Sequence, residues 1–228
     1  VTDVDAATLL MLALAEKAEG RRKPMEKGQL FVGMSQGLTR VEHGALEQAA
    51  RQTGAKRPIL VRAPLAAALG AGLDADQPRG RMVVVLGGGT TEIAVISMNA
   101  VVAARSMRTG CFSMDEAIVR YVRRKKGLII GPRTAEDLKC DIGSATLPDY
   151  DAEDEDLPDA PDEAGEEAAA EAGPQGEKVL LKGRDAKTGK PRTVPITTRD
   201  VALALKEPVR LLIDAMHDAL SRTPPELA

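Results

Sequence analysis

The stretch from Met82 to Asn99, MVVVLGGGTTEIAVISMN, decides the predicted fold and contains the candidate ligand site. Two apolar runs flank three consecutive glycines and two threonines, which predicts a buried strand, a tight turn and a second strand folding back beside the first. Glycines lack Cβ atoms, so their backbone N–H groups can approach a phosphate, and threonine hydroxyls add further donors. A plain glycine-rich hairpin turn is the alternative. The candidate phosphate-binding residues are Gly87, Gly88, Gly89, Thr90 and Thr91.

The composition is that of a globular protein with an unusual charge distribution. The 228 residues suffice for one large domain or two small ones, and with 2% aromatic residues the core is expected to consist of aliphatic side chains and Met. The net charge of −3 hides a segment, Asp149 to Glu171, with twelve acidic residues and no Lys or Arg, here called the acidic tract. Without it the chain is basic. No apolar run approaches the length of a membrane span, and no signal peptide is recognised.

Strands and helices alternate in the first part of the chain, which indicates an α/β fold around a mostly parallel sheet. Residues 6–18 are apolar nearly all round, so this helix is expected to be buried on most sides. Thr39 is expected to cap the second helix. The predicted elements up to the glycine turn are helix 6–18, strand 30–34, helix 40–53, strand 59–61 and helix 65–71.

The second part of the chain is predicted to contain a strand, three helices and a hairpin. Four basic residues end helix 114–126; they suit the negative end of the helix dipole, so we expect no nucleic-acid partner. Thr134 is expected to cap the next helix, and the loop from Thr146 to Gly176 is expected to be disordered. Cys111 and Cys140 have no CxxC spacing and are expected to be buried, reduced thiols. The remaining predicted elements are strand 101–107, helix 135–142, strands 179–181 and 193–196, and helix 199–220 with a kink at Pro208.

Several segments together resemble the bacterial rod-shape-determining actin homologues of the MreB/Mbl type. They are MVVVLGGGTTEIAVIS, MDEAIVRYVRRKKGLIIGPRTAEDLKCDIGSA, KGRDAKTGKPRTV and LKEPVRLLIDAMHDALSRTPPELA, with GLTRVEHGALEQAARQTGA and APLAAALGAGL upstream. The resemblance covers nearly the whole chain except the acidic tract. It implies an actin-like fold, related to the Hsp70 ATPase and ribonuclease H, with two domains around a nucleotide cleft.

The resemblance also implies a domain organisation. Residues 1–81 correspond to an incomplete first domain, and residues 82–126 with 198–228 correspond to the core of the second. Residues 127–197 correspond to its small outer subdomain, with residues 146–176 as an acidic insertion. We expect a truncated member of the family, because the Asp-x-Gly-Thr phosphate hairpin and the C-terminal glycine-rich turn of the family are not found in this sequence.

Three carboxylates that the family motifs carry are replaced here. Val85 stands where an Asp normally precedes the glycines, Ala63 lies within the segment that is normally Glu-Glu-Pro, and Phe112 ends a segment that is normally Gly-Gly-Asp. Such carboxylates hold the metal or position water in magnesium-assisted phosphoryl transfer. ATP and magnesium are thus implied as ligands by the resemblance, while little or no hydrolysis is expected.

The resemblance further points to Glu136 and Lys139 as contacts for the ribose or adenine of a nucleotide. They lie one helical turn apart, and an ordinary surface ion pair is the alternative. We assign no catalytic residue and no metal ligand. A basic loop around residues 21–27 corresponds to a membrane-contacting loop of the family, but a solvated loop is the alternative.

The resulting hypothesis is a cytoplasmic, MreB-like cytoskeletal or scaffold protein in cell-shape determination, with a degraded nucleotide site. Its expected partners are copies of itself or a full-length homologue, together with the membrane surface or the cell-wall machinery. The first alternative is a non-polymerising interaction module that modulates a full-length MreB-type filament, with the acidic tract as a regulatory arm. The second is a remnant without a stable fold, since uncovered sheet edges and apolar helix faces invite aggregation.

Overall fold

The structure is a computed structural model that describes residues 3–20, 29–146 and 177–227. It contains six α-helices and eight strands within these ranges. The helices are α1 (Val4–Glu19), α2 (Arg40–Gln52), α3 (Ala63–Gly70), α4 (Cys111–Lys126), α5 (Pro132–Ile142) and α6 (Thr198–Ser221). The strands are β1 (Phe31–Met34), β2 (Ile59–Arg62), β3 (Arg81–Leu86), β4 (Thr91–Ser97), β5 (Ala100–Met107), β6 (Leu128–Ile129), β7 (Lys178–Asp185) and β8 (Pro191–Thr197).

The chain divides into two compact units, one formed by Val1–Arg108 with Ala215–Ala228 and the other by Thr109–Asp214. We refer to them as unit 1 and unit 2. Their boundaries differ from those of the domains suggested by the family resemblance, and that domain assignment stays a prediction. Two expectations fall outside the described residues: disorder of residues 146–176, of which Thr146 alone is described, and a basic loop at residues 21–27.

Unit 1 is built on one parallel strand pair and one antiparallel sheet. β1 pairs in parallel with β2, while β3, β4 and β5 form a sheet in that order with both pairings antiparallel. All seven residues of β4 are buried, so the strand after the glycines forms the centre of the sheet. Met98 and Asn99 adopt positive φ angles, 49° and 57°, in the tight turn between β4 and β5.

The helices of unit 1 begin largely where the sequence predicts. Thr39 caps α2 with a reciprocal capping box, in which its hydroxyl accepts from the Glu42 backbone N–H and the Glu42 carboxylate accepts from the Thr39 backbone N–H. Thr8 of α1 is buried, and its hydroxyl lies 3.2 Å from the Ala49 carbonyl oxygen of α2. The expectation that α1 is buried on most sides is wrong, because α1 packs on α2 along one side and Leu9, on another, is 67% exposed.

Unit 2 packs helices against a second antiparallel sheet. Its strands lie in the order β6–β7–β8, and the core combines side chains of α4, α5, α6 and this sheet. The most buried large side chains of this core are Ile118, Val122, Leu128, Ile196 and Val201. The predicted hairpin is confirmed and is longer than expected, while β6 is an additional strand that its two-residue length hid from sequence patterns.

Three further expectations need correction. The sheets are not mostly parallel, since β1–β2 is the one parallel pair among the described strands. Thr134 does not cap α5: the helix begins at Pro132, whose fixed φ suits the first helical position, with Gly131 as the N-cap. Cys111 and Cys140 are free, but Cys111 is half-buried and Cys140 is exposed. The described helices include none that combines the length and apolar character of a membrane span.

Candidate functional site

The glycine turn joins β3 to β4 in unit 1. The two strands pair from Arg81 opposite Ile96 to Leu86 opposite Thr91, which leaves residues 87–90 as a four-residue loop. The backbone N–H of Gly87 donates to the carbonyl oxygen of Thr90 at 2.9 Å and closes the loop. The predicted strand–turn–strand is therefore present, and its loop extends from a sheet whose central strand is buried.

Two of the glycines have different structural roles. A Cβ atom added to Gly87 would lie 2.9 Å from the Thr90 carbonyl oxygen, so the turn itself requires a glycine there. A Cβ atom added to Gly89 would meet nothing within 4 Å. Gly89 is exposed, so the space beside its backbone is open to a ligand. Gly89 thus offers the unobstructed approach that a phosphate cradle uses, and Gly87 does not.

The two threonines of the turn also differ. Thr90 is exposed and can present its hydroxyl to a ligand, whereas the side chain of Thr91 is almost fully buried. The next residue, Glu92, is buried as well, and its Oε2 accepts a hydrogen bond from the backbone N–H of Gln36 at 3.1 Å. The Glu92 carboxylate thus ties β4 to the turn after β1. The exposed part of the predicted phosphate set is Gly89 and Thr90.

The three positions where the resemblance predicts a lost carboxylate lie near the end of a strand or at the start of a helix. Val85 lies on β3 directly opposite Glu92 in the antiparallel register. Ala63 is the first residue of α3, and Phe112, which is 64% exposed, lies in the first turn of α4. Neither helix has an acidic residue in its first turn, where a carboxylate would be favoured by the helix dipole.

The predicted nucleoside contacts, Glu136 and Lys139, lie on α5 in unit 2. Glu136 is exposed. Lys139 extends toward α4, where its Nζ is 2.6 Å from Asp115 Oδ1 and 3.4 Å from the carbonyl oxygen of Cys111. Burial acts to lower the pKa of Lys139, but the hydrogen bond and charge of Asp115 outweigh it and the pKa is raised. The ammonium of Lys139 is therefore engaged by α4.

The positions and exposure of these residues indicate whether they fit a nucleotide and a metal. The open backbone at Gly89 and the Thr90 hydroxyl fit a phosphate oxygen. Magnesium in nucleotide sites is usually held by one or two carboxylates with waters and phosphate oxygens, and the acid next to this turn, Glu92, is buried and bonded to Gln36. The site fits phosphate binding better than metal-assisted hydrolysis.

Sequence reasoning missed two contacts, Lys139–Asp115 and Glu92–Gln36. Asp115 is 24 residues from Lys139, and Gln36 is 56 residues from Glu92, so helical spacing does not reveal either pair. The signal available was chemical: Asp115 and Glu92 are acidic residues within otherwise apolar, buried patterns. Buried charges are usually paired or hydrogen-bonded, which predicts a partner without identifying it.

Solved structures of known proteins share this fold. MreB5 of Spiroplasma citri, bound to ADP and to AMPPNP, gives TM-scores of 0.80 and 0.81 at 27% sequence identity. The two matches cover 100% and 99% of this chain and 60% of each MreB5 chain. The molecule is therefore an α/β protein of the actin-like class.

The sequence comparisons are more specific. The family model described as MreB/Mbl protein matches residues 1–155 and 165–228, so the chain belongs to the MreB/Mbl family. It is 36% identical over 202 residues to the cell shape-determining protein Mbl of Bacillus subtilis, and 38% identical over 200 residues to the cell shape-determining protein MreB of Escherichia coli. These alignments cover 89% and 88% of this chain but 53% and 50% of the relatives. The chain thus spans about half the length of the curated relatives it matches.

Proposed function

We propose that this chain acts as a cytoskeletal or scaffold protein in cell-shape determination in the cytoplasm. Membership of the MreB/Mbl family supports this proposal, as do relatives that are cell shape-determining proteins. The observation that carries it is the β3–glycine turn–β4 hairpin, which lies within the range that the family model matches and forms a closed loop on a buried strand. We also propose the domain assignment suggested by the resemblance, with residues 1–81 as part of a first domain.

The nucleotide site is proposed to bind phosphate groups and to hydrolyse ATP poorly or not at all. MreB5, at 27% identity, binds ADP and AMPPNP, which supports a nucleotide as the ligand. The open space at Gly89 and the exposed Thr90 can receive a phosphate. No side-chain oxygen for a metal or an attacking water is present at Val85, Ala63 or Phe112. The residues present therefore favour nucleotide binding over phosphoryl transfer.

Titration calorimetry with ATP tests the binding proposal. We expect heat of binding in the presence of magnesium, and a reduced affinity for Gly89→Ala and Thr90→Val. Leu73→Ala, in the loop after α3, is the control variant and should bind as the wild type does. An absence of ATP binding by a folded chain would contradict the nucleotide proposal, and turnover at the rate of an intact homologue would contradict the loss of hydrolysis.

A second candidate function is a non-polymerising module that modulates a full-length MreB-type filament. The observation that favours it is the apolar face of α1, where Leu9, Leu10 and Leu14 are 67%, 61% and 58% exposed. Exposed apolar side chains grouped on one helix are typical of a surface that binds another protein. Phe31 on β1, at 60% exposure, is another exposed apolar side chain of unit 1.

Sedimentation separates the two functions. If the chain forms filaments, it pellets alone. The double substitution Leu9→Ser and Leu14→Ser then leaves the pellet unchanged, provided that the filament contacts use another surface. A modulator stays in the supernatant alone and changes the amount of full-length homologue that pellets. In that case the same double substitution abolishes the change, while Leu180→Ser, an exposed leucine on β7, does not.

A further inference from the structure

A groove lined by basic side chains lies between α4 and α6 in unit 2. Its volume is about 590 Å³, and its floor includes Ala117 and Tyr121 of α4 and Ala204 of α6. Four cationic side chains and one acidic side chain line it. They are Arg120, Arg124, Lys206 and Arg210, with Glu207 as the acid. The lining side chains thus carry a net charge of +3.

The carboxylates near this groove neutralise only part of that charge. Arg210 is held by Glu207, with Nε and Nη2 at 3.0 and 2.9 Å from its carboxylate oxygens. The guanidinium of Arg120 lies 3.6 Å from Glu116, and both side chains are about 70% exposed. Exposed pairs of this kind are weak, and with Glu116 counted beside Glu207 the net charge around the groove is +2. Within residues 3–20, 29–146 and 177–227, no carboxylate lies at ion-pair distance from Arg124.

The last described residue before the acidic tract lies close to this groove. Thr146, the last residue described before the tract, lines an adjoining cavity of about 370 Å³ together with Lys206 and Arg210. Asp149 follows three residues later, at most about 11 Å along an extended chain. The chain thus enters its most acidic segment beside two of the four cations of the groove.

Part of the acidic tract lies outside the residues that the family model matches. The MreB/Mbl family model matches residues on both sides but not residues 156–164, which lie inside the acidic tract. The twelve acidic residues of the tract contain no Lys or Arg that could neutralise them internally. A groove whose lining side chains carry a net charge of +3 is therefore close, along the chain, to a segment of charge −12.

We propose that the acidic tract of this chain docks in the groove between α4 and α6. A tether of a few residues raises the effective concentration of the tract at the groove to the millimolar range, so weak individual ion pairs suffice. The attraction is electrostatic and is expected to disappear at high ionic strength, where the Debye length falls to about 3 Å at 1 M salt. Docking blocks the groove to other anionic segments, and it does not depend on nucleotide binding or polymerisation.

Zero-length carbodiimide cross-linking of the intact chain tests the proposal, because it joins carboxylates to an amine in direct contact. Residues 140–177 contain no Lys or Arg, so trypsin releases the whole tract in one peptide ending at Lys178. We expect this peptide to be linked to Lys206 at least about fivefold more than to Lys187, an exposed lysine at the β7–β8 turn, because docking holds the tract against the groove. In 1 M NaCl this preference should be lost.

Matched variants distinguish docking from mere proximity of the tract to Lys206. Arg120→Ala with Arg124→Ala should lower the cross-link to Lys206, while Arg123→Ala with Arg133→Ala, which removes the same charge outside the groove, should not. If the first pair of substitutions unfolds the chain, poly-glutamate added to the wild-type protein serves the same purpose and should compete for the cross-link. Equal yields at Lys206 and Lys187, indifference to poly-glutamate, or cross-links confined to dimers would overturn the proposal.

Discussion

Val85 on β3 lies directly opposite Glu92 on β4, at the end of the hairpin that leads into the glycine turn. Residues opposite each other in an antiparallel pair project from the same face of the sheet, with Cβ atoms about 5 Å apart. Val85 is uncharged, so Glu92 contributes the one carboxylate of this opposite pair. An aspartate in its place would add a second charge.

The first prediction concerns restoration of that carboxylate. In the absence of divalent metal, Val85→Asp should lower the free energy of unfolding by up to about 1 kcal/mol more than Val85→Asn does, because both variants lose the apolar packing of Val85 but only Asp adds a like charge opposite Glu92. Magnesium should offset this loss and strengthen ATP binding. Thermal unfolding and calorimetry, each with and without magnesium, measure the two effects. Val85→Asn, which is similar in size but neutral, is the control and should show no response to magnesium.

The second prediction separates the glycines of the turn. Gly87→Ala should destabilise the protein by about 1–3 kcal/mol, because its methyl group would press against the Thr90 carbonyl oxygen. Gly89→Ala should change stability by less than about 0.5 kcal/mol, since its methyl group enters open space. Denaturant unfolding of both variants checks the difference. Equal destabilisation by the two substitutions would contradict a steric requirement for glycine at position 87.

The third prediction concerns the ion pair between α4 and α5. The side chains of Lys139 and Asp115 are 16% and 7% exposed. Removing one partner of a fully buried pair costs about 3–5 kcal/mol, and the partial exposure of Lys139 should bring the loss for Asp115→Asn below that range. Asp141→Asn, an exposed acid on α5, is the control. Urea unfolding of both variants at neutral pH measures the difference.

The same pair predicts a dependence of stability on alkaline pH. The raised pKa of Lys139 means that its stabilising contribution is complete below its ordinary value of 10.5 and is lost as the pH rises through the folded-state pKa. The wild type should therefore lose more stability above pH 10.5 than Asp115→Asn does. Unfolding measured between pH 9 and pH 11.5 tests this, and parallel curves for the two proteins would contradict it.

The fourth prediction concerns the turn between β7 and β8. Asp185 accepts hydrogen bonds from the backbone N–H groups of Thr188 and Lys187, and its Oδ2 lies 3.0 Å from Arg192. These donors, Thr188 foremost, lower the pKa of Asp185 from 3.8 to about 2. Its stabilising contribution is present above pH 3.8 and is lost as the pH falls toward 2. Asp185→Asn should remove this acid dependence, measured by unfolding between pH 2 and pH 5.

The apolar pattern of the sequence was sufficient to predict most elements but not how they pair. The run from Ile93 to Met98 correctly predicted a buried strand, because a central strand needs apolar side chains on both faces. Strand direction depends on which strands become neighbours, which local patterns do not encode, so the prediction of a mostly parallel sheet was wrong. The exposure of Leu9 likewise depends on what packs beside α1, and the helix sequence does not contain that information.

The sequence predicted a phosphate-binding turn, but not which of its residues are open to a ligand. The sequence identified the glycines and threonines, but only the structure separates the open position at Gly89 from the sterically required Gly87. The partnership of Lys139 with Asp115 joins two helices, and it could not be read from the spacing of Lys139 and Glu136. Binding at these residues stays a prediction that the experiments above address.

The burial of β4 along its whole length has a consequence for the entropy of ligand binding. The glycine turn is anchored at one end to the most protected strand of its sheet and is closed by the hydrogen bond from Gly87 to Thr90. A loop held in this way has little conformational freedom to lose when a phosphate binds, so the ordering penalty is small. Any weakness in nucleotide affinity should therefore appear in the enthalpy, through missing charged partners, while the entropy of loop ordering stays close to zero.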